Sequence, residues 1–251
     1  MKTIVDAAGP EAPNNPVLFE NDIHIWYSSL DVLPSSFEWL ESTLDSRERV
    51  RSNSYCSELE RKRFVIGRGI LREILARYSG VPPEDLHFDY CSRGKPSLVE
   101  AGGKIQFNLA HSGGRAVYAV VRYRRIGVDI EQVVPTDGIE QIADRFFSNG
   151  EKNRLHSLSQ DERLEAFFKI WTCKEAYLKA CGKGLAHPLD EIEISLECVG
   201  APGGLKVKGA DSCWSLELLQ PGFGFVAAVC VEGKYSRLDC WEWPGLRVHL
   251  G

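Results

Sequence analysis

The stretch AFFKIWTCKEAYLKACG, residues 166–182, decides the fold because a second stretch of the same kind stands earlier in the chain. That second stretch is RFVIGRGILREILARYSG, residues 63–80. Both carry apolar residues three to four positions apart and end on a glycine, a pattern typical of an amphipathic helix closed by a left-handed residue. Each stretch therefore predicts one long helix.

Strand-like segments surround the two predicted helices in the same order. They are residues 22–27, 82–90 and 116–122 in the first half, and residues 126–130, 188–195 and 225–231 in the second half. A repeated order indicates an internal duplication. We therefore predict an α+β fold of two similar subdomains, related by a pseudo-twofold axis, each with a helix packed on a small, mostly antiparallel sheet.

The predicted duplication also divides the chain into segments. Residues 1–17 are rich in proline and predict a flexible lead-in. Residues 18–123 form the predicted N-terminal subdomain, and residues 124–251 form the C-terminal subdomain. We expect the tail Trp-Glu-Trp-Pro, residues 241–244, to pack against the second half.

Composition favours a soluble, cytoplasmic protein without a membrane segment. No part of the 251 residues approaches the ~20 consecutive apolar residues that a membrane helix needs. Residues 1–16 lack the apolar region of a secretory signal. The eight cysteines contain no Cys-x-x-Cys pair, which predicts reduced and mostly buried thiols rather than disulfides or a zinc site.

The charge pattern argues against nucleic acid as a partner and for a local anion site. The net charge is −5, which is the wrong sign for attracting a polyanion. Residues 47–77 nevertheless carry nine Lys and Arg against four Glu. A basic segment in an acidic chain predicts an anion site, although a solvated helix face with internal ion pairs explains part of the same pattern.

Two acidic residues alternate along the segment Gly-Val-Asp-Ile-Glu, residues 127–131. Alternate side chains of a strand share a face, so Asp129 and Glu131 are expected to project together. Such a pair suits Mg²⁺, which proteins hold with one or two carboxylates. The solvent-exposed face of an ordinary strand shows the same alternation of acids. This segment alone therefore leaves open whether the two acids bind a metal ion or only face solvent.

The second helix carries a polar stripe. Glu175 and Lys179 are four residues apart and share a face, with Trp171 one turn before Glu175. Lys174 lies about 100° around the axis from Glu175. Alone, this is an ordinary helix ion pair. Combined with the strand acids, it predicts three carboxylates around one Mg²⁺ with two lysines nearby, an arrangement that suits a pyrophosphate.

Two further segments display polar side chains near predicted turns. Lys95 stands in the turn Gly-Lys-Pro, residues 94–96, and His111 and Ser112 precede a glycine turn. His and Ser at a loop mouth can bind phosphate oxygens. Ordinary turn chemistry explains each segment equally well when it is taken alone.

Taken in order, these segments resemble the phosphopantetheinyl transferase superfamily. The motifs are Gly-Lys-Pro at 94–96, Phe-Asn-Leu-Ala-His-Ser at 107–112, Gly-Val-Asp-Ile-Glu at 127–131, Arg-Phe-Phe-Ser at 145–148 and Trp-Thr-Cys-Lys-Glu-Ala at 171–176, followed by Lys179. The chain is similar to the long, surfactin-synthetase-activating class, in which one monomer contains two fused halves. The pairing of the two acidic motifs, in this order, is more specific than either motif alone.

The resemblance implies an activity and its partners. The enzyme would transfer the 4′-phosphopantetheine arm of coenzyme A to a serine of an apo acyl or peptidyl carrier protein, with Mg²⁺, and release 3′,5′-adenosine bisphosphate. The N-terminal subdomain would hold the nucleotide, and the C-terminal subdomain the metal and the catalytic helix. Two rival functions remain open, a coenzyme A-binding regulatory module without transfer activity and a Mg²⁺-dependent phosphohydrolase.

The resemblance also implies roles for individual residues. The expected metal ligands are Asp129, Glu131 and Glu175. The expected contacts to coenzyme A are Arg51, Arg63, Lys95, His111, Lys174 and Lys179. The expected catalytic residues are Glu175, Lys179 and Glu151, with Glu175 or Glu151 as the base and Lys179 beside the leaving phosphate. Ala110 departs from the family, because many members have a serine there that contacts the 3′-phosphate.

Overall fold

The computed structural model describes residues 5–6, 12–32, 34–91, 94–182, 188–200, 205–207 and 213–245. This part of the chain has the predicted α+β fold, with two long helices and two four-stranded sheets. None of its helices is long and apolar enough to cross a membrane. The predicted lead-in, residues 1–17, falls partly outside the described residues.

Six helices and twelve strands make up the described chain. The helices are α1 (Pro34–Ser42), α2 (Ser46–Asn53), α3 (Glu58–Ser79), α4 (Ile139–Phe146), α5 (Asn149–Ser157) and α6 (Gln160–Cys181). The strands are β1 (Val5–Asp6), β2 (Asp22–Ser29), β3 (Phe88–Tyr90), β4 (Pro96–Leu98), β5 (Ile105–Ser112), β6 (Arg115–Arg122), β7 (Ile126–Gln132), β8 (Ile192–Ile194), β9 (Leu205–Val207), β10 (Trp214–Gln220), β11 (Phe225–Glu232) and β12 (Arg237–Glu242).

The two long helices begin and end where local chemistry predicts. Helix α3 follows Ser57, whose side chain accepts a hydrogen bond from the Glu60 amide, and it stops at Gly80 with φ 72°. Helix α6 stops in the same way at Gly182, with φ 65°. Glycine adopts this left-handed conformation without the strain that a Cβ atom adds. The glycine stops expected from the sequence are therefore confirmed.

The described elements of the two halves follow one order. A strand, three helices, a 3₁₀ turn, a two-stranded hairpin and two long strands run from β2 to β6. The same order runs from β7 to β11, with one additional 3₁₀ turn at Leu196–Cys198. The strand orders also match, since β2-β6-β5 in the first sheet corresponds to β7-β11-β10 in the second. This correspondence supports the predicted duplication.

The sheets and helices stack in four layers. Apolar residues of β2, β5 and β6 meet those of β7, β10 and β11 in a core between the two sheets. Helix α3 covers the outer face of the first sheet through one apolar cluster, and α6 covers the outer face of the second sheet through another. The neighbouring strands β5 and β7 therefore bring the two halves together along one seam.

Three local predictions need correction. Residues 82–90 and 188–195 are not continuous strands, because 3₁₀ turns at Pro83–Asp85 and Leu189–Glu191 precede β3 and β8. Each turn begins just after a proline, where the missing amide and fixed φ favour a turn over a strand. His111 and Ser112 belong to the end of β5 rather than to a loop.

The C-terminal tail packs on the first half, so the prediction that it packs on the second half is wrong. Strand β12 pairs in parallel with β2, and Trp241 lies opposite Trp26 in that register. The centroids of the two indole rings are 5.1 Å apart, and the ring of His24 packs edge-on against Trp241 with 4.8 Å between the ring centroids. Trp241 and Trp243 thereby join the apolar cluster under α3. The position of the tail is decided by backbone pairing of β12 with the open edge of β2. The pattern of side chains along the tail does not indicate which strand edge it will meet.

Candidate active site

Helix α6 lies directly on strand β7, and Gly127 permits this close approach. A Cβ atom at Gly127 would lie 2.1 Å from the carbonyl oxygen of Ala176 and 2.2 Å from the amide nitrogen of Ala180. No side chain fits into that space, so only glycine allows the helix backbone to reach the strand. The polar residues that follow Gly127 on β7 consequently face the last turns of α6.

Three acidic side chains lie on the two elements that form this contact. Asp129 Oδ1 lies 2.5 Å from the Nζ atom of Lys179. Glu131 accepts a hydrogen bond of 3.0 Å from the hydroxyl of Ser112, and the indole of Trp171 lies close enough to lower its pKa slightly. Glu175 is half-buried on α6, near enough to both strand acids to feel their charges. The structure thus brings together residues from β5, β7 and α6.

Burial raises the pKa of all three carboxyl groups, because it removes the water that stabilises their charged forms. The charge of Asp129 raises the pKa of Glu131 and Glu175 further. The ammonium group of Lys179 opposes the shift in every case. Three acids facing one lysine leave an excess of negative potential, which favours a cation at this position.

The donor atoms match a hard divalent cation in their chemistry. Asp129 Oδ2 is buried and has no hydrogen-bond partner, a costly state that a cation would relieve. Carboxylate oxygens are the ligands that Mg²⁺ prefers. Within the described ranges, no three or more His, Cys, Asp or Glu side chains form a group that could hold a metal ion as they stand. Binding one requires these side chains to draw closer together.

A cluster of cations lies beside the acids, at the end of β5. Protein atoms crowd the ring of His111 and lower its pKa, and the charges of Lys179, Arg63 and Arg51 lower it further, against an opposing effect of Glu60. Arg63 is 3.6 Å from Glu60, and its Nε atom is buried without a partner. Several cations with free donors form a suitable site for a phosphate group. We call the cations Arg51, Arg63 and Lys179, together with the imidazole of His111 beside them, the cation cluster.

Lys95 connects the two halves of the protein. Its Nζ atom donates hydrogen bonds of 2.8 Å to the carbonyl oxygens of Ile126 on β7 and of Lys179 on α6. Burial lowers the pKa of Lys95 to about 8. Two of its three donors are therefore committed to the backbone, so the structure gives Lys95 a bracing role that its turn motif did not predict.

Lys174 and Glu151 lie inside the second half, away from solvent. The Nζ atom of Lys174 donates to the carbonyl oxygens of Leu189, at 2.8 Å, and Ile192, and lies 2.8 Å from Glu151 Oε2. Glu151 also accepts hydrogen bonds from the amides of Ser148 and Ile194. With both side chains at most 1% exposed and their partners taken, the expected roles of Lys174 on a phosphate and Glu151 as a base do not fit this geometry.

The first half contains the counterpart of this buried pair. Arg72 of α3 is fully buried and donates to Glu48 Oε2 at 2.7 Å and to the carbonyl oxygens of Pro83 and Leu86 at 2.9 Å. In both halves, a basic residue of the long helix therefore binds a buried glutamate and backbone carbonyls in or next to the 3₁₀ turn that follows the helix. This repetition identifies the Lys174 pair as part of the fold.

Polar residues of β5 hold the seam between the halves, and sequence reasoning did not assign them this role. Asn108 Oδ1 accepts a hydrogen bond of 2.8 Å from the amide of Val128. Ser112 donates to Glu131 and accepts from the amide of Gln132 at 3.1 Å, so it serves a carboxylate rather than a phosphate. Ala110 is buried in the apolar core between the sheets. The alternation of polar residues along β5 was the available signal.

Comparison with known proteins links both halves to one family. Residues 125–230 match the 4′-phosphopantetheinyl transferase superfamily, and residues 31–122 match the 4′-phosphopantetheinyl transferase N-terminal family. The chain is 44% identical to the 4′-phosphopantetheinyl transferase HetI from Nostoc sp., over 92% of this chain and 96% of that protein. It is 28% identical to the 4′-phosphopantetheinyl transferase Sfp from Bacillus subtilis, over 75% of this chain and 82% of that protein.

A solved structure resembles part of the chain. The holo-[acyl-carrier-protein] synthase from Thermotoga maritima is 25% identical, over 43% of this chain and 62% of that chain, with a TM-score of 0.34.

Proposed function

Since this chain belongs to the 4′-phosphopantetheinyl transferase superfamily, we propose that it transfers the 4′-phosphopantetheine arm of coenzyme A to a serine of an apo acyl or peptidyl carrier protein. The other product is 3′,5′-adenosine bisphosphate. The observation that carries the proposal is one continuous polar site, in which Asp129, Glu131 and Glu175 adjoin the cation cluster. Coenzyme A carries a 3′-phosphate and a pyrophosphate, which match the two parts of this site.

Mg²⁺ is proposed as the cofactor, held by Asp129, Glu131 and Glu175. When bound, the ion supplies positive charge to the pyrophosphate and lowers the energy of its developing charge. The orphaned Oδ2 atom of Asp129 supports this assignment. Ser112 orients Glu131 through its hydrogen bond.

The chain's own side chains account for the remaining steps. The carrier serine oxygen attacks the phosphorus that bears pantetheine, and the bond from that phosphorus to the bridging oxygen breaks. Glu175 is half-buried beside the strand acids, whereas Glu151 is enclosed and paired with Lys174, which makes Glu175 the better candidate to accept the serine proton. Lys179 lies beside Asp129 and is placed to stabilise the departing 3′,5′-adenosine bisphosphate.

The cation cluster is proposed to bind the 3′-phosphate end of coenzyme A, with His111 as a direct contact. The strand end that carries His111 lies at the seam between the halves. The carrier and coenzyme A are the proposed partners, and nucleic acid and membranes are not among them. We also propose a cytoplasmic monomer, since the two fused halves contribute jointly to one site.

Intact-mass spectrometry tests the proposal directly. Incubation with coenzyme A, Mg²⁺ and an apo carrier should add one phosphopantetheine group to the carrier. Release of 3′,5′-adenosine bisphosphate at the same rate without a carrier would show hydrolysis and overturn the proposal. Binding of coenzyme A without any mass gain, across a panel of carriers, would do the same.

Variants on one helix separate a role in the site from a general effect. Glu175→Gln should lower the transfer rate by on the order of 10²-fold or more, because it removes a charge that acts in the reaction. Glu165→Gln is the matched control, since Glu165 lies on α6 and its ion pair among the described residues is with Lys169 on the helix surface. Near-normal turnover by Glu175→Gln would exclude Glu175 from the mechanism.

A further inference from the structure

Arg51, like Arg47 and Arg49 on the same helix, forms no ion pair within the described residues, and it is the one of these three whose guanidinium lies over an aromatic ring. In the part of the chain that the structure describes, Arg61, Arg68 and Arg72 form ion pairs, whereas Arg51 forms none. Its side chain is exposed in the last turn of α2. An exposed arginine ordinarily samples many rotamers, and ordering it costs free energy when a ligand binds.

An aromatic ring limits that freedom. The guanidinium carbon of Arg51 lies 5.2 Å from the ring centroid of Phe64, within the range of a cation–π contact. Phe64 is half-buried on α3, and its ring lies 5.4 Å from the ring of Tyr55, with 36° between the planes. Because Tyr55 supports the ring, Phe64 presents a fixed surface to Arg51.

The position of Phe64 connects Arg51 to the cation cluster. Phe64 directly follows Arg63 on α3, so the ring is anchored beside one member of the cluster. Arg63 also reaches the turn that follows His111, since a Cβ atom added at Gly114 would lie 3.8 Å from its Nη2 atom. The charge of Arg51 contributes to lowering the pKa of His111, as expected for a guanidinium on the same side of the site. A phosphate at His111 is therefore within the electrostatic field of Arg51.

We propose that Phe64 is a positioning residue, which holds the guanidinium of Arg51 so that Arg51 and His111 bind the same 3′-phosphate of coenzyme A. This inference rests on the proposed function, and it assigns to the Tyr55–Phe64 pair a part in substrate recognition. A ring that serves only to pack α2 on α3 would instead affect stability and would act independently of Arg51.

A double-mutant cycle on coenzyme A affinity distinguishes these two roles. The dissociation constant is measured by titration calorimetry for the wild type, Phe64→Leu, Arg51→Gln and the double variant, with coenzyme A and with 3′-dephospho-coenzyme A. Phe64→Leu should weaken coenzyme A binding about two- to fivefold, the usual size of an exposed cation–π contact. Phe64→Tyr should retain wild-type affinity, because it keeps the ring.

The effect of Phe64→Leu on affinity should depend both on the presence of Arg51 and on the 3′-phosphate of coenzyme A. In the Arg51→Gln background, Phe64→Leu should cause no further loss, and 3′-dephospho-coenzyme A should bind the wild type and Phe64→Leu equally well. Leu59→Ala, on the exposed surface of α3, is the control and should leave affinity unchanged. Thermal unfolding of each variant checks that the fold is intact.

Three results would overturn the inference. They are an equal loss from Phe64→Leu with and without Arg51, an equal loss for both forms of coenzyme A, and full affinity in Phe64→Leu. The carrier assay is independent of this cycle. A wild type that binds coenzyme A but transfers nothing would refute the proposed function, and the coupling in affinity would still decide the role of Phe64.

Discussion

Substituting Gly127 with alanine tests the central geometric claim, that α6 must touch β7 for the site to form. The added Cβ atom would stand 2.1 Å from the Ala176 carbonyl oxygen, whereas ordinary contacts begin at 3.4 Å. The difference, 3.4 − 2.1, requires α6 to move by roughly 1.3 Å. Both contacting atoms, on Ala176 and Ala180, belong to the helix backbone, so no side-chain rotation can relieve the clash.

This movement has two expected consequences. Overpacking of a dense interior costs about 1–3 kcal/mol, so the free energy of unfolding should fall by that amount. The displacement also separates Lys179 and Glu175 on α6 from Asp129 on β7. A misplacement of about 1 Å in an active site can cost on the order of 10²-fold in rate, and we expect kcat of Gly127→Ala to fall by that factor.

The assay combines urea unfolding with carrier modification followed by intact mass. Gly67→Ala provides a matched control, because it makes the same change inside α3 where the nearest atom, on Leu30, is 3.7 Å away. Alanine there should be neutral or stabilising by up to about 1 kcal/mol, since glycine is a poor helix former. Wild-type stability together with wild-type kcat in Gly127→Ala would refute the close approach of helix and strand.

Three further predictions concern residues outside this contact. Lys174→Met should reduce the free energy of unfolding by about 3–5 kcal/mol, because it leaves the Glu151 carboxylate without a counter-ion in the core. The added change Glu151→Gln should restore part of the loss, and unchanged stability with a raised KM for coenzyme A would contradict this prediction. Because burial lowers the pKa of Lys95 to about 8, the folded chain binds fewer protons than the unfolded chain above that pH. The free energy of unfolding should therefore rise between pH 8 and about 10.5, and Lys95→Met should abolish this rise; an identical slope in the variant would exclude Lys95 as its source. Trp241→Ala should cost about 3–5 kcal/mol in urea unfolding, as expected for a large core residue, and a loss below about 1 kcal/mol would contradict the packing of the tail on the first half.

The parts of the fold that were predictable are those governed by neighbouring residues along the chain. Glycine at 80 and 182 ends a helix whatever surrounds it, because the left-handed conformation is a local property. Apolar runs at 116–122 and 225–231 form strands β6 and β11 for a similar reason. The tail containing Trp241 was misplaced, because its location depends on an open strand edge distant in sequence.

The candidate site divides in the same way. Alternation along β7 was sufficient to place Asp129 and Glu131 on one face, and a spacing of four was sufficient to place Glu175 and Lys179 on one face of α6. The buried pair of Lys174 and Glu151 was not predictable, because consecutive helix residues point about 100° apart and nothing local indicates which direction meets the core.

The sequence by itself determined which side chains share a face of a single element, since strand and helix periods depend only on the backbone. Tertiary structure alone decided that Lys179 contacts Asp129 of β7, whereas Lys174 is buried inside the C-terminal half. The physical reason is that the rotation of a helix about its axis is set by packing. Here a glycine on the facing strand sets that packing at a distance no side chain can occupy.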